Sequence, residues 1–247
     1  MNNKYELTDE KKNVGAIVLH RIRALRDIPR FGIKAGDLGG WIESGSNLSQ
    51  NGDAWVSGNA QVFGDAWVYG DARVSGNARV YGDARVSGNA RVYGDAWVYG
   101  DAWVYGDAWV YGDAWVSDNA RVYGDARVSG NARVYGDARV YGDAWVYGDA
   151  RVYGDAWVSG DARVYGDAWV SSNADYMVFR NSWSSGRWFT YTSSDKMWAV
   201  GGFHGTGEEL IRKAYADSEV SGKCYEAIVR AVEVIEAAKA EAEGGNK

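Results

Sequence analysis

The chain has 247 residues, 46% of them hydrophobic, a formal net charge of −6 and one cysteine. That length and apolar content suit an ordered protein and exclude a low-complexity tail, while the acidic balance argues against direct binding to a nucleic-acid backbone, which needs a basic stripe to displace counterions. The lone Cys224 excludes an internal disulfide and fits a helix-packing residue in a reducing cytosol.

The first 20 residues, MNNKYELTDEKKNVGAIVLH, contain no apolar segment followed by a small-residue cleavage site, and no apolar run in the chain approaches bilayer length. A cytoplasmic protein without a membrane partner is expected. Within residues 1–35, YELTD and AIVLHRIRAL alternate well enough for a small β cap. GDLGGWIESGSNL follows, already holding a six-residue step from Ile42 to Leu48, so coiling is expected to begin near Gly36.

Valine then recurs at every sixth position from Val56 to Val170 without an insertion, after a two-residue slip, and alanine precedes nearly every valine by two positions. Ala, Trp or Arg, Val, Tyr or Ser alternates small, large, apolar, large, the period of a strand with one buried face. Gly-Asp or Gly-Asn then turns the chain cheaply, because Gly accepts positive φ and Asx side chains bond to nearby backbone. A short turn every six residues coils the chain around a triangular axis, three units to a coil. Val56, Val74 and Val92 then stack, and twenty units give almost seven coils, about 30 Å at the usual interstrand spacing. This region, 36–174, resembles the left-handed parallel β-helix of hexapeptide-repeat proteins, in which an aliphatic residue is followed four positions later by a small one, as Val98 is by Ala102.

The residue before each valine is Trp, Arg or once Gln, and taking every eighteenth residue distributes them over three similar faces: Trp55, Arg73, Arg91 and onward; Gln61, Arg79, Trp97, Trp115 and onward; Trp67, Arg85, Trp103 and onward. Arg stacked on aromatic rings covers such a surface; so much exposed aromatic area also suits lateral association, and Trp97, Trp103, Trp109 and Trp115 are the candidate interaction surface. Sixteen Asp against ten Arg between Asp53 and Val170 leave an acidic nucleic-acid mimic as an alternative.

The repeat fails after Asn173. In residues 175–247, DYMVFRNSW, GRWFTYTSS and KMWAVGGF read as three strands, and Thr206 with Glu209 forms a capping box opening a helix. A second helix is expected from about Lys223 to Glu243, with Tyr225, Ile228, Val229, Val232 and Ile235 as its packing stripe. This region is expected to serve as a cap and oligomerisation module. Arg187, Trp188, Lys196, Trp198, His204 and Thr206 are its candidate ligand-binding residues, offering charge and stacking to a small nucleotide-like ligand.

Hexapeptide-repeat acyltransferases resemble this chain in the coil; they use a histidine on the rod as general base, beside a loop thrown out of a coil. Here the two histidines, His20 and His204, lie outside the repeat tract and no loop interrupts it, so no catalytic residue is assigned, nor any metal or cofactor. YELTDE, LHRIRALRD and GDLGGWIE resemble the opening module of a group of hexapeptide-repeat proteins common in bacteriophages and prophages, and MWAVGGFHGTGEELIRKAYADSEVSGKCYEAIVR resembles a helical module often appended to repeat arrays. The resemblance implies a β-helical rod between fixed caps and a phage origin, but no catalytic motif. The expected protein is mainly β, a left-handed parallel β-helix with a small N-terminal β cap and a C-terminal α+β cap. It is a non-catalytic, phage-derived dimer or trimer in the bacterial cytoplasm that occupies a host protein or sequesters a small ligand. A structural spacer and an acyltransferase are the alternatives.

Overall fold

The computed structural model describes residues 4–244, with side chains to residue 242. Tyr5–Val14 (β1) and Ile17–Ala24 (β2) form an antiparallel hairpin, and β2 pairs antiparallel with Leu38–Ile42 (β3). Twenty two-residue strands follow at six-residue intervals, from Trp55–Val56 (β4) to Trp169–Val170 (β23). Each pairs in parallel with the strand eighteen residues on, as Trp97↔Trp115 and Val98↔Val116 do, so the strands sort into three sheets that each take every third one. The result is a three-sided parallel β-solenoid of about seven turns, as the valine period requires. Valines and alanines of the repeat are fully buried from Ala54 to Val170. At about 25 cal/mol per Å² of apolar surface, each buried valine stabilises the rod by roughly 1.5–3 kcal/mol over an exposed one.

The turns explain the glycines. Gly106 has φ +73, and a Cβ there would stand 2.9 Å from the Gly124 amide nitrogen of the next coil; both the left-handed conformation and the close coil-to-coil approach select glycine.

The two-residue slip appears as a pairing offset. Trp41 pairs with Gln61, Ile42 with Val62, and Leu48 bridges Val68, twenty residues apart instead of eighteen. Gln50, inside the slip, then clamps the start of β1: its Oε1 accepts the Lys4 and Tyr5 amides at 3.0 and 3.3 Å, and its Nε2 donates to the Tyr5 carbonyl. The hairpin is thereby not a separate cover but the continuation of one rod sheet.

After the rod, Tyr176–Arg180 (β24), Trp188–Thr192 (β25), Met197–Val200 (β26) and Phe203–Gly205 (β27) form an antiparallel meander, followed by Gly207–Asp217 (α1) and Glu219–Gly244 (α2). Three strands were expected and four are present; α2 begins four residues before the expected Lys223. The Thr206 capping box is formed, with the hydroxyl accepting the Glu209 amide and the Glu209 carboxylate accepting the Thr206 amide. Phe189, Trp198, Leu210, Tyr225, Val229 and Val232 make a second core. Ile235 is not part of it: it is 43% exposed, because the buried stripe of α2 runs from Tyr225 through Val229 and Val232 toward Glu236.

Both rod ends are closed by hydrogen bonds as well as by apolar cover. At the first coil the Ala54 carbonyl accepts from the buried Lys4 Nζ at 2.8 Å, and the Ala66 carbonyl accepts from Asn47 Nδ2 at 2.9 Å. At the last coil, the Trp157, Arg163 and Trp169 amides would each donate to a following coil. They donate instead to Asn173 Oδ1, Thr190 Oγ1 and Ser194 Oγ at 2.7–2.9 Å, and the Tyr176 hydroxyl donates to the Trp157 carbonyl. One side-chain oxygen thus serves one strand amide on each side of the triangle, which covers part of the edge on which another chain would pair.

Candidate functional site

The outer surface is ordered by the coil. Residues preceding the valines stand above one another at the interstrand spacing, so a guanidinium in one coil lies over an indole in the next. Arg79 stacks on Trp97 at 4.9 Å and Arg133 on Trp115 at 4.6 Å on one face; Arg91 and Arg127 sandwich Trp109 at 5.0 and 5.2 Å on a second; Arg85 and Arg121 sandwich Trp103 at 5.0 and 5.3 Å on the third. Such contacts contribute about 0.5–1 kcal/mol each when exposed. The expected stacking of Arg on aromatic rings is therefore present on all three faces. Among the described residues none of the ten rod arginines has a carboxylate within 4 Å. The acids are at the corners and the bases on the flats.

At the corners, Asn and Asp stack in columns. Asn77, Asn89, Asn119 and Asn131 each donate from Nδ2 to the Asp one coil on, at 2.9–3.1 Å, which replaces a like-charge contact by a charge-assisted bond. Among the described residues no three acidic, histidine or cysteine side chains converge in a way that could hold a metal ion. The residue after each valine builds ring columns: Tyr105, Tyr123 and Tyr141 stack at 4.8–5.0 Å with nearly parallel planes. Burial beside its neighbours pushes the Tyr147 hydroxyl up to about 12, with Tyr165 adding to the effect.

The four tryptophans expected to share an interaction surface are divided by this geometry. Trp97 and Trp115 belong to one sheet and stack at 5.3 Å, while Trp103 and Trp109 each lie on another sheet. All four are half-buried. The six cap residues do not converge on one pocket either. Arg187 and Trp188 line a groove of about 450 Å³ together with Asp143, Trp145, Asp161 and Arg163 of the rod. Lys196 and Trp198 line a different cavity of about 470 Å³, between the meander and α2, beside Tyr191, Val229, Val232 and Glu236. Trp198 itself is only 2% exposed and is a core residue. Thr206 is occupied in the helix cap.

His204 sits against the final coil, its ring edge-on to Tyr165 at 4.3 Å. Its Nε2 is buried without a hydrogen-bond partner. Burial holds its pKa below the ordinary histidine value, only partly opposed by Asp195 and Asp167, so the ring is neutral at pH 7. His20 is in β2, with Nδ1 3.3 Å from the Thr8 carbonyl. Asp118 is not among the residues that the repeat pattern singles out. It is the one residue other than glycine at the first turn position between Gly58 and Gly166, and that break in an otherwise uniform column was visible in the sequence.

The repeat matches the family model described as the YdcK beta solenoid repeat at residues 72–85, 84–100, 120–132, 126–142, 132–148, 144–160 and 156–172. Every matched segment lies inside the coil array. No curated protein matches the chain. Among solved structures it is similar to a proposed acetyltransferase from Bacillus cereus, with 10% identity and a TM-score of 0.26 over 72% of this chain and 92% of that one; a likeness this low carries no argument about activity. No helix among the described residues is long and apolar enough to cross a membrane.

Proposed function

We propose that the chain is a non-catalytic interaction rod, carried by a bacteriophage or prophage and acting in the cytoplasm of its bacterial host. A stiff solenoid with sealed ends presents guanidinium and indole groups to a macromolecular partner. The observation that carries this reading is the set of arginines immobilised on tryptophan faces with no carboxylate partner. Their orientation is fixed in advance, so a partner's acceptors meet groups whose rotamer freedom is already spent. The phage origin rests on the resemblance of YELTDE and GDLGGWIE to a phage-associated opening module. The exposed Val234 and Ile235 of α2 offer a surface for self-association into a dimer or trimer.

Native mass spectrometry of the protein isolated from its host cell tests this. A stoichiometric partner is expected, lost when Arg79, Arg133 and Trp115 are replaced together by Gln, Gln and Ser, while a second copy held through Val234 and Ile235 of α2 should persist. A bare monomer in both forms refutes it.

A second reading, acyl transfer, is favoured by one observation: the neutral His204 imidazole lies against the last coil with Nε2 unpartnered, and a neutral imidazole can accept a proton from a nucleophile. Release of free thiol from acetyl-CoA with an amine or alcohol acceptor, abolished by His204→Ala, would displace the rod reading.

A further inference from the structure

The ring columns along the rod edges contain gaps. Tyr81 and Tyr99 stack at 5.0 Å with planes 3° apart, and Tyr135 and Tyr153 at 5.2 Å. Serine takes the ring position once between two tyrosines in each column: Ser87 between Tyr69 and Tyr105, Ser117 between Tyr99 and Tyr135, Ser129 between Tyr111 and Tyr147. Two coil rises put the flanking rings about 10 Å apart. That distance equals two of the steps that the column already uses, the room of one planar ring.

The gap at Ser117 is furnished in a way that the sequence withholds from the other two. It opens as a cavity of about 240 Å³ lined by Tyr99, Trp115, Ser117, Asp118, Arg133, Tyr135 and Arg151. Asp118 stands where Ser87 and Ser129 are followed by glycine, and it holds φ 57, in the left-handed region. An L-residue there costs about 1–2 kcal/mol. The coil spacing adds crowding, since a Cβ on the adjoining Gly100 or Gly124 would lie 2.9–3.0 Å from the next coil's amide nitrogen. What the strain places at the mouth of the slot is a carboxylate. Its Oδ2 accepts the Gly136 amide at 3.1 Å, and its Oδ1 has no hydrogen-bond partner among the described residues. The Arg133 guanidinium lies over the Trp115 ring at 4.6 Å and that of Arg151 over Trp169 at 4.9 Å. Strain of this kind persists where the surroundings impose it, and it gathers at binding sites.

We propose that the Ser117 slot binds a purine mononucleotide. The base takes the place of the missing ring between Tyr99 and Tyr135, its N–H edge donates to Asp118, and its phosphate is met by Arg133 and Arg151. The three features call for three properties in one molecule: a flat π-surface, a donor edge and an anion. Base stacking on aromatic side chains contributes about 1–3 kcal/mol per base, and a fixed guanidinium forms bidentate bonds to phosphate. A partner's aromatic side chain would leave Asp118 and both arginines unused, and a free phosphate would leave the ring gap empty. The slot shares Arg133 and Trp115 with the interaction surface, whereas Ser117 and Asp118 belong to the slot alone, so variants at those two positions test it apart from the interaction-rod reading.

The informative variants are those that restore the repeat. Ser117→Tyr fills the gap and Asp118→Gly relieves the turn, so both should fold at least as well as the parent, checked by circular dichroism and melting. Isothermal titration with GMP and AMP should show saturable binding of at least one of them, at one nucleotide per chain. Binding should be weakened at least tenfold by Asp118→Gly, abolished by Ser117→Tyr and unchanged by the control Ser129→Tyr. Guanosine and inorganic phosphate should each bind at least tenfold more weakly than GMP. The proposal is overturned if neither nucleotide saturates, if Ser117→Tyr binds as the parent does, or if phosphate alone equals GMP. Loss of nucleotide binding with retention of the macromolecular partner would separate this site from the rod's other surfaces.

Discussion

Lys4 offers the sharpest test of how the rod end is sealed. Its side chain is fully buried, and its Nζ donates to the Ala54 carbonyl at 2.8 Å. Burial first, and the nearby Arg26 second, lower its pKa from 10.5 to about 8, against the weaker pull of Asp53 and Asp71. Below pH 8 both folded and unfolded chains carry the charge, and the folded state bears the full cost of holding it. Between about pH 8 and 10.5 the folded chain has released the proton while the unfolded chain keeps it, so unfolding takes up a proton and stability rises with pH. At about 1.36 kcal/mol per unit the whole rise is on the order of 3 kcal/mol, an upper bound because solvent screening at the rod end reduces it. Lys4→Met has nothing to titrate at this position. Urea unfolding of both proteins at several values from pH 7 to 10.5, followed by tryptophan fluorescence, isolates the effect as a difference in which tyrosine ionisation cancels; the neighbouring Tyr5, pushed up to about 12 by burial, stays outside the window. The parent should gain on the variant by roughly 2–3 kcal/mol as pH rises. A flat difference would refute the buried ammonium.

The rod makes three further predictions. Val110→Ala, in mid-rod and fully buried, should cost about 2 kcal/mol, from two lost methyl groups and the cavity left behind, read from the urea midpoint. Deleting residues 92–109 removes one coil and rejoins Arg91 to Val110 in register; the maximum dimension in small-angle scattering should fall by about 5 Å while cooperative unfolding is retained. Thr206→Ala should lower stability by about 1 kcal/mol and speed hydrogen exchange at the start of α1, because the Glu209 amide loses its acceptor.

Legibility in the sequence followed repetition. Twenty copies of one pattern fix the core, the turns and the pairing distance, and even the two-residue slip before Val56 reappears as the twenty-residue offset between Ile42 and Val62. Beyond Asn173 each element occurs once, so an error has nothing to correct it. Phe203–Gly205 is too short to alternate visibly and stands between two glycines and a helix cap. Helix α2 starts at Glu219 because α1 ends at Asp217 with only Ser218 between them, a connection that no turn residue marks. Lys196 and Trp198 are close in sequence to Arg187 and Trp188, whereas the turns between strands carry the two pairs to separate cavities. Asp118 is hard to read for the opposite reason: a periodic tract is defined by what recurs, and a single departure from it carries no pattern of its own.

That exception shows where function can reside in a rod of this kind. Every unit buries the same valine and alanine, so the core sets no preference among Trp, Arg, Tyr or Ser outside, and the outer residues are selected by what lies one coil above and below. Two aspartates about 5 Å apart repel by roughly 0.8 kcal/mol even in water, and an asparagine beneath an aspartate turns that repulsion into a hydrogen bond, as Asn131 does for Asp149. An arginine next to a tryptophan stacks, and a tyrosine above a tyrosine extends a column. These pair rules leave the serines of the ring columns unexplained, because nothing in them favours serine over tyrosine within a column. A serine between two tyrosines gives up a stacked ring on both sides, about 0.5–1.5 kcal/mol for each pair, and Asp118 adds strain to that loss. The position where the rod departs furthest from its own most stable unit is therefore one that the fold does not require.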